Sequence, residues 1–346
     1  MKDYKNILIV RTDRMGDVVL TTPSFKAVRA AYPKAKISAL VVSPMEELIA
    51  GDPYLDEVIV HERKIKYKGP FGFWRLAADL RRKKFDLAII FHTKKWTNSL
   101  CFFAGIPDRL GYKNDKWGFL LTHPIEDTRH LGTMHESDYC LELLKHLGIR
   151  TDSKEFYVCV KPASKQWVRD ILIKHKVGEK ERLIAIHPGA SDPSRRWPPY
   201  LYAELIDQLA RLYQAKYMII GDPAIKDVAQ KILALVKTPV LDLTGDTSVS
   251  EFVSLIDRCD LLISNDSGPV HVAVGLNRPV ISIFTRNQPG INPERWKPLG
   301  EKTRFVSVPM DDSISFARAG EIDPKYLELI RTEEVLRAVD DIFKLC

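Results

Sequence analysis

A chain of 346 residues, 45% hydrophobic and 28% charged, has the balance of a globular protein, and its length favours two cores over one. No apolar run approaches the ~18 residues of a membrane span, and Asn6–Val10 opens directly as a strand with no signal peptide before it, so the expected location is the cytoplasm. The formal charge is +7 with its whole excess in residues 1–150, and the five scattered cysteines lack a Cys-x-x-Cys pair, which argues against a zinc site or a disulfide framework.

The first half alternates strand and helix. Strand Ile7–Val10 leads through a loop to a helix over Pro23–Tyr32, and strand Ile37–Val42 leads to a helix over Pro44–Ala50. Glu57–His61 reads as a third strand. Helix Phe73–Arg82 precedes strand Leu87–Phe91, and helix Lys95–Ala104 precedes a strand and turn over Gly105–Gly111. Helix Glu136–Leu147 closes the half. A polar stretch from Gly148 to Lys154 breaks this rhythm, and Phe156–Val160 with a helix over Ser164–Lys176 bridges to a second sheet. Its strands are Leu183–His187, Tyr217–Ile220, Val240–Leu243, Leu261–Ser264 and Val280–Phe284. Its helices are Tyr200–Tyr213, Ala224–Val236, Val249–Arg258 and Val270–Gly275. A terminal helix, Pro324–Phe343, has no following strand and is expected to pack back on the first domain. The expected fold class is α/β: two Rossmann-like domains, 1–160 and 161–323, facing a cleft.

Three loops lie where strands end, the edge at which such sheets bind ligands. The first is Arg11-Thr-Asp-Arg-Met-Gly-Asp17. Gly16 is expected to allow a tight turn, and Asp17 reads equally as a helix cap or as a general base. Asp13 is a lesser candidate base. The second loop, His187-Pro-Gly-Ala-Ser191 continuing to Arg195-Arg196-Trp197, offers backbone N–H groups and two guanidinium groups to a diphosphate; the bland alternative is a surface arginine pair beside a buried Trp197. The third, Ser264-Asn-Asp-Ser-Gly-Pro-Val-His271, puts Asp266, Ser267, Gly268 and His271 at a helix start suited to phosphate and ribose, with a plain cap by Asp266 as the competing reading. Gly221-Asp222-Pro223 is either a ribose contact or simple turn chemistry. His92, just beyond its strand, is worth watching.

The first half also carries Arg63–Lys68 and Arg81-Arg82-Lys83-Lys84 around the aromatic segment Phe71–Leu76. This is either a solvated helix face or a surface for an anionic partner. No Asp-x-Asp pair, Gly-x-x-x-x-Gly-Lys loop or Gly-x-Gly-x-x-Gly fingerprint is present, so no metal, ATPase or dinucleotide site is expected.

Taken in order, the three loops resemble those of glycosyltransferase family 9, the ADP-heptose:lipopolysaccharide heptosyltransferases, and more closely the heptosyltransferase II type. The resemblance implies the B-type glycosyltransferase fold, with an acceptor-binding first domain and a nucleotide-sugar-binding second one. It makes Asp17 the catalytic base. Ser191, Arg195, Arg196, Asp266, Ser267, Gly268 and His271 become donor-binding residues, and Arg14 and Gly16 acceptor-binding ones; position after its strand adds Asp222 to the expected donor site, and the basic charge of the first half adds Arg81, Arg82, Lys83 and Lys84 to the expected acceptor site. The partners implied are a nucleotide-diphosphate sugar and a lipid-linked anionic oligosaccharide, with peripheral contact at the inner membrane face, no nucleic acid and no cofactor. Arg195 stands where the family usually has lysine, and Phe284–Gly290 departs from the family's common loop. Two other readings stay open: a nucleotide-sugar 2-epimerase on the same fold, and a non-catalytic nucleotide-sugar-binding protein.

Overall fold

The computed structural model describes residues 2–69, 71–310 and 328–345. The chain divides into two units, Met1–Cys159 and Val160–Cys346. The first carries a parallel sheet of β1 (Asn6–Val10), β2 (Lys36–Val42), β3 (Glu57–His61), β4 (Leu87–Ile90), β5 (Asp108–Lys113) and β6 (His123–Glu126), in the spatial order 3-2-1-4-5-6. Its helices are α1 (Met15–Ala31), α2 (Glu46–Ile49), α3 (Gly72–Lys83), α4 (Lys95–Phe103) and α5 (Glu136–Lys145).

The second unit repeats the plan. Its strands β7 (Leu183–His187), β8 (Lys216–Ile219), β9 (Val240–Asp242), β10 (Leu261–Asn265), β11 (Val280–Phe284) and β12 (Thr303–Ser307) lie in the order 12-11-10-7-8-9. This is the first unit's order again, counted from β7. Helices α6 (Pro162–Lys174), α7 (Pro199–Leu212), α8 (Lys226–Leu233), α9 (Val249–Arg258), α10 (Gly268–Gly275) and α11 (Pro293–Trp296) accompany them. Strands β7, β10 and β11 are buried along their whole length, as a parallel sheet covered on both faces requires. Each sheet reverses its winding between the unit's first and fourth strands: β1 and β4, then β7 and β10. These switch points are where the fold leaves a crevice for ligands.

Three expectations need correction. Helix α1 begins at Met15, eight residues before Pro23, and runs through the proline. Pro23 has no N–H to give the Val19 carbonyl, and the Thr22 hydroxyl donates to it instead, at 2.7 Å. The edge strands β6 and β12 escape the sequence reading because both are short, polar and half-exposed, and β6 contains a proline. The terminal helix, Thr332–Phe343, does not return to the first unit. It packs on α7, β11 and β12, burying Val335, Val339 and Ile342 in the core that holds Trp197 and Tyr202. Following β12, it covers the face of the sheet that this strand extends. The expected start of that helix at Pro324 lies outside the described residues.

Candidate active site

At the first switch point the chain leaves β1 as Arg11, a guanidinium only 2% exposed. It meets three carboxylates: Asp17 at 2.6 Å, Glu136 at 3.0 Å and Asp13 at 3.0 Å. Asp17 lies in the first turn of α1, whose cap residue is Arg14, so the capping reading of Asp17 gives way to an ion pair. Its Oδ1 accepts from Arg11, and its side chain keeps 18% exposure. A negative charge near a helix start is also favoured by the helix dipole. Glu136 opens α5 and is 1% exposed. Burial pushes the Asp13 carboxyl up, to about 7, against the pull of Arg11. Burial thus favours the protonated form of Asp13.

From the fourth strand comes His92, whose Nδ1 lies 3.0 Å from the Thr12 hydroxyl. Burial, and then the neighbouring Arg11, lower its pKa to about 3, so the ring is neutral. Arg129 is held in a two-pronged grip by Asp127 at 2.8 and 2.7 Å. Arg11 and Arg129 are thus fixed cations beside an acidic group. Gly16 lies inside α1 and is not among the glycines with positive φ, so the tight turn expected there does not exist. Arg14 is exposed at the same edge of the sheet as Asp17.

Arg81–Lys84 stand elsewhere. They end α3, which feeds the start of β4, and the Asn6 side chain at the start of β1 donates to the Lys83 carbonyl at 2.6 Å. Asp17 follows the other end of β1, a strand length away, roughly 15 Å at ~3.3 Å per residue. The fold therefore places this run at the opposite edge of the sheet from Asp17. Arg82 pairs with Asp79 at 2.8 Å and Lys83 with Glu57.

In the second unit the switch point is built from the ends of β7 and β10. His187 Nδ1 lies 3.1 Å from the Ser264 hydroxyl and 3.3 Å from that of Ser267. Burial lowers its pKa to about 4, leaving a neutral ring. Asn265 is fully buried and ties three segments together. Its Nδ2 donates to the Pro188 carbonyl at 2.7 Å, and its Oδ1 accepts from Trp197 N and the Tyr202 hydroxyl, each at 2.9 Å. Ser267, not Asp266, is the cap residue of α10. Asp266 is 4% exposed and ion-paired with Arg195, whose Nη2 also donates to the Asp266 carbonyl at 2.6 Å. Arg195 Nε is buried with no hydrogen-bond partner, a donor left to satisfy. Arg196 instead braces its own loop, donating to the Ala190 carbonyl at 2.9 Å. Ser191 is exposed beside it, and Gly268 begins α10.

His271 is buried in α10, its ring 6.2 Å from that of Trp296. Asp222 is exposed and caps the turn Pro223–Ile225, accepting from Ala224 N at 3.0 Å. Gly221 next to it is glycine for packing reasons. A Cβ there would meet Ile225 Cδ1 at 2.2 Å, so the loop can close over Ile225 only without a side chain.

Sequence reasoning missed Arg129, and two further residues besides. Glu136 reaches Arg11 across 125 positions. Arg286 donates to the Ser194 hydroxyl at 3.0 Å and pairs with Asp192 at 3.3 Å, linking the divergent loop after β11 to the arginine-bearing one. A lone glutamate after a histidine gave no signal; a buried arginine inside a loop that departs from its family's pattern was a signal that could have been weighed. Among the described residues, no three His, Cys, Asp or Glu side chains group as metal ligands.

A family model described as glycosyltransferase family 9 (heptosyltransferase) matches residues 73–325. Lipopolysaccharide heptosyltransferase 2 of Escherichia coli (strain K12) is 26% identical over 326 residues, spanning 87% of this chain and 88% of that protein. A family 9 glycosyl transferase from Veillonella parvula DSM 2008 has the same fold with a TM-score of 0.88 at 23% identity, covering 100% of this chain and 99% of that one. The E. coli ADP-heptose LPS heptosyltransferase II structure gives 0.75 at 23% identity, covering 98% of each chain. Matched through both units by sequence and by fold, the chain belongs to glycosyltransferase family 9.

Proposed function

We propose that this enzyme is an inverting heptosyltransferase. It moves a heptose from ADP-heptose to a lipid-linked lipopolysaccharide core acceptor at the inner face of the cytoplasmic membrane. Relatives named lipopolysaccharide or lipooligosaccharide heptosyltransferase 2 span nearly nine-tenths of the chain and support this donor and acceptor class. They favour neither the 2-epimerase nor the non-catalytic alternative. The observation that carries the chemistry is the Arg11–Asp17 pair, which orients one carboxylate at a ligand-binding edge through a buried cation.

In this reading Oδ2 of Asp17 takes the proton of the acceptor hydroxyl as its oxygen attacks the anomeric carbon. The bond from that carbon to the diphosphate oxygen breaks, and the nucleoside diphosphate leaves with its electron pair. Arg195 and the start of α10 offset the charge that develops on it, an effect commonly worth a few kcal/mol per group. Arg14 orients the acceptor from the same edge as Asp17. Asp266 holds Arg195 in place, and Arg286 supports the loop that carries it.

The test is a transfer assay with ADP-heptose and a core oligosaccharide lacking its outer heptose. ADP release that depends on the acceptor, with the product heavier by one heptose, is the expected result. Release without acceptor, or turnover only with a different nucleotide, contradicts the reading.

A further inference from the structure

We propose that one helical face of the first unit is a docking surface for an anionic lipid bilayer. It comprises the 62–69 loop, α3, the end of α4 and the turn 117–119. The inference rests on the lipid-linked acceptor read above and deepens it by naming the side chains that meet the lipid.

Large apolar side chains are concentrated here in water. Ile65 is 77% exposed, Phe71 75%, Trp74 53% and Phe119 76%. Trp74 and Phe103 join α3 to α4, their rings 4.8 Å apart, and Trp117 and Phe119 stand on a turn that packs against α4. The apolar side of α3 is already spent on the core through Leu76, Ala77 and Leu80, so Trp74 belongs to its outward face. An exposed aromatic cluster of this kind marks an interaction site.

The backbone holds these residues out. Trp117 adopts a left-handed conformation, φ 62°, which bulky residues avoid. The buried Asn98 secures it by donating to the Lys116 and Trp117 carbonyls at 3.0 and 3.3 Å. At the other end, a Cβ on Gly72 would lie 1.9 Å from the Tyr67 carbonyl oxygen, so only glycine lets the 62–69 loop fold onto the start of α3.

Charge selects the occupant. Residues 61–120 hold fourteen Lys and Arg against five Asp and Glu, a net of +9, while the whole chain carries +7. Lys64, Lys68, Arg75 and Lys116 are exposed among the apolar residues. Aromatic rings with interleaved cations suit the boundary between anionic headgroups and acyl chains. Two copies of so positive a face would repel, which disfavours self-association.

The experiment is sedimentation of the full chain with vesicles of phosphatidylcholine containing phosphatidylglycerol, and with phosphatidylcholine alone. Two variants are compared with it: Phe71→Ser/Trp74→Ser/Phe119→Ser, and Lys64→Glu/Lys68→Glu. The unaltered chain should bind the anionic vesicles in preference and release them at high salt, and each variant should lose about tenfold or more in partitioning. Turnover of a delipidated, soluble acceptor should be unchanged in both variants, so a failure of the transfer reading would be seen separately. Equal binding to both vesicle types, variants that bind like the parent, or a dimer that the aromatic substitutions dissolve would each overturn the proposal.

Discussion

The two units share one strand order and one kind of switch point, yet they furnish it with opposite chemistry. After β1, three carboxylates surround a single buried guanidinium. After β7, β10 and β11, arginines pair with carboxylates of neighbouring loops, Arg195 with Asp266 and Arg286 with Asp192. One edge gathers several carboxylates on one buried cation, while the other pairs each arginine with a carboxylate of its own. The fold supplies the same crevice twice, and the side chains after two or three strand ends decide which half of a transfer reaction it suits.

Removing the cation from the acidic edge should cost most. Arg11→Met leaves Asp17 and Glu136 without their counter-charge, and the chain should lose about 3–5 kcal/mol of stability in denaturant unfolding. A loss below about 1 kcal/mol would mean that the cluster is not held together by that charge. At the second unit's edge, if it holds the donor as proposed, Arg195→Ala should weaken ADP binding by roughly 10–100-fold by calorimetry, the scale of one hydrogen bond to a charged group, while Arg195→Lys keeps much of it. Unchanged affinity in the alanine variant would remove Arg195 from the site.

A further test concerns pH. Burial holds the His187 ring at about 4 in the fold, against roughly 6.5 in an unfolded chain. Between these values the unfolded state binds a proton that the folded state refuses. The stabilisation is therefore full above about pH 6.5 and is lost as pH falls towards 4, by up to ~3 kcal/mol. His187→Gln should flatten that slope in urea midpoints measured across this range. An unchanged slope would show that the ring is not the group titrating.

Much of this was legible in the sequence, for identifiable reasons. Buried parallel strands such as Leu183–His187 and Leu261–Asn265 announce themselves as apolar runs, and the loops after them must fall at the ligand edge. Pro23 misled, since a proline read as a helix start was carried inside α1 with the help of Thr22. The run Arg81–Lys84 was read by its charge alone. Its position just before β4 already fixed it at the amino edge, away from Asp17. Pairings such as Arg11 with Glu136 and Arg286 with Asp192 span 125 and 94 positions, and no local pattern encodes them. The terminal helix was legible as an amphipathic segment, but its partner became apparent only with β12, the strand whose sheet it covers.

The claim that most needs testing is that Asp17 is the base. Asp17→Asn keeps an acceptor for Arg11 and removes the site for the proton. Acceptor-dependent heptose transfer should fall by about 10²–10⁴-fold while ADP affinity, measured on the same protein, stays as it was. Transfer at close to the parent rate would contradict the account.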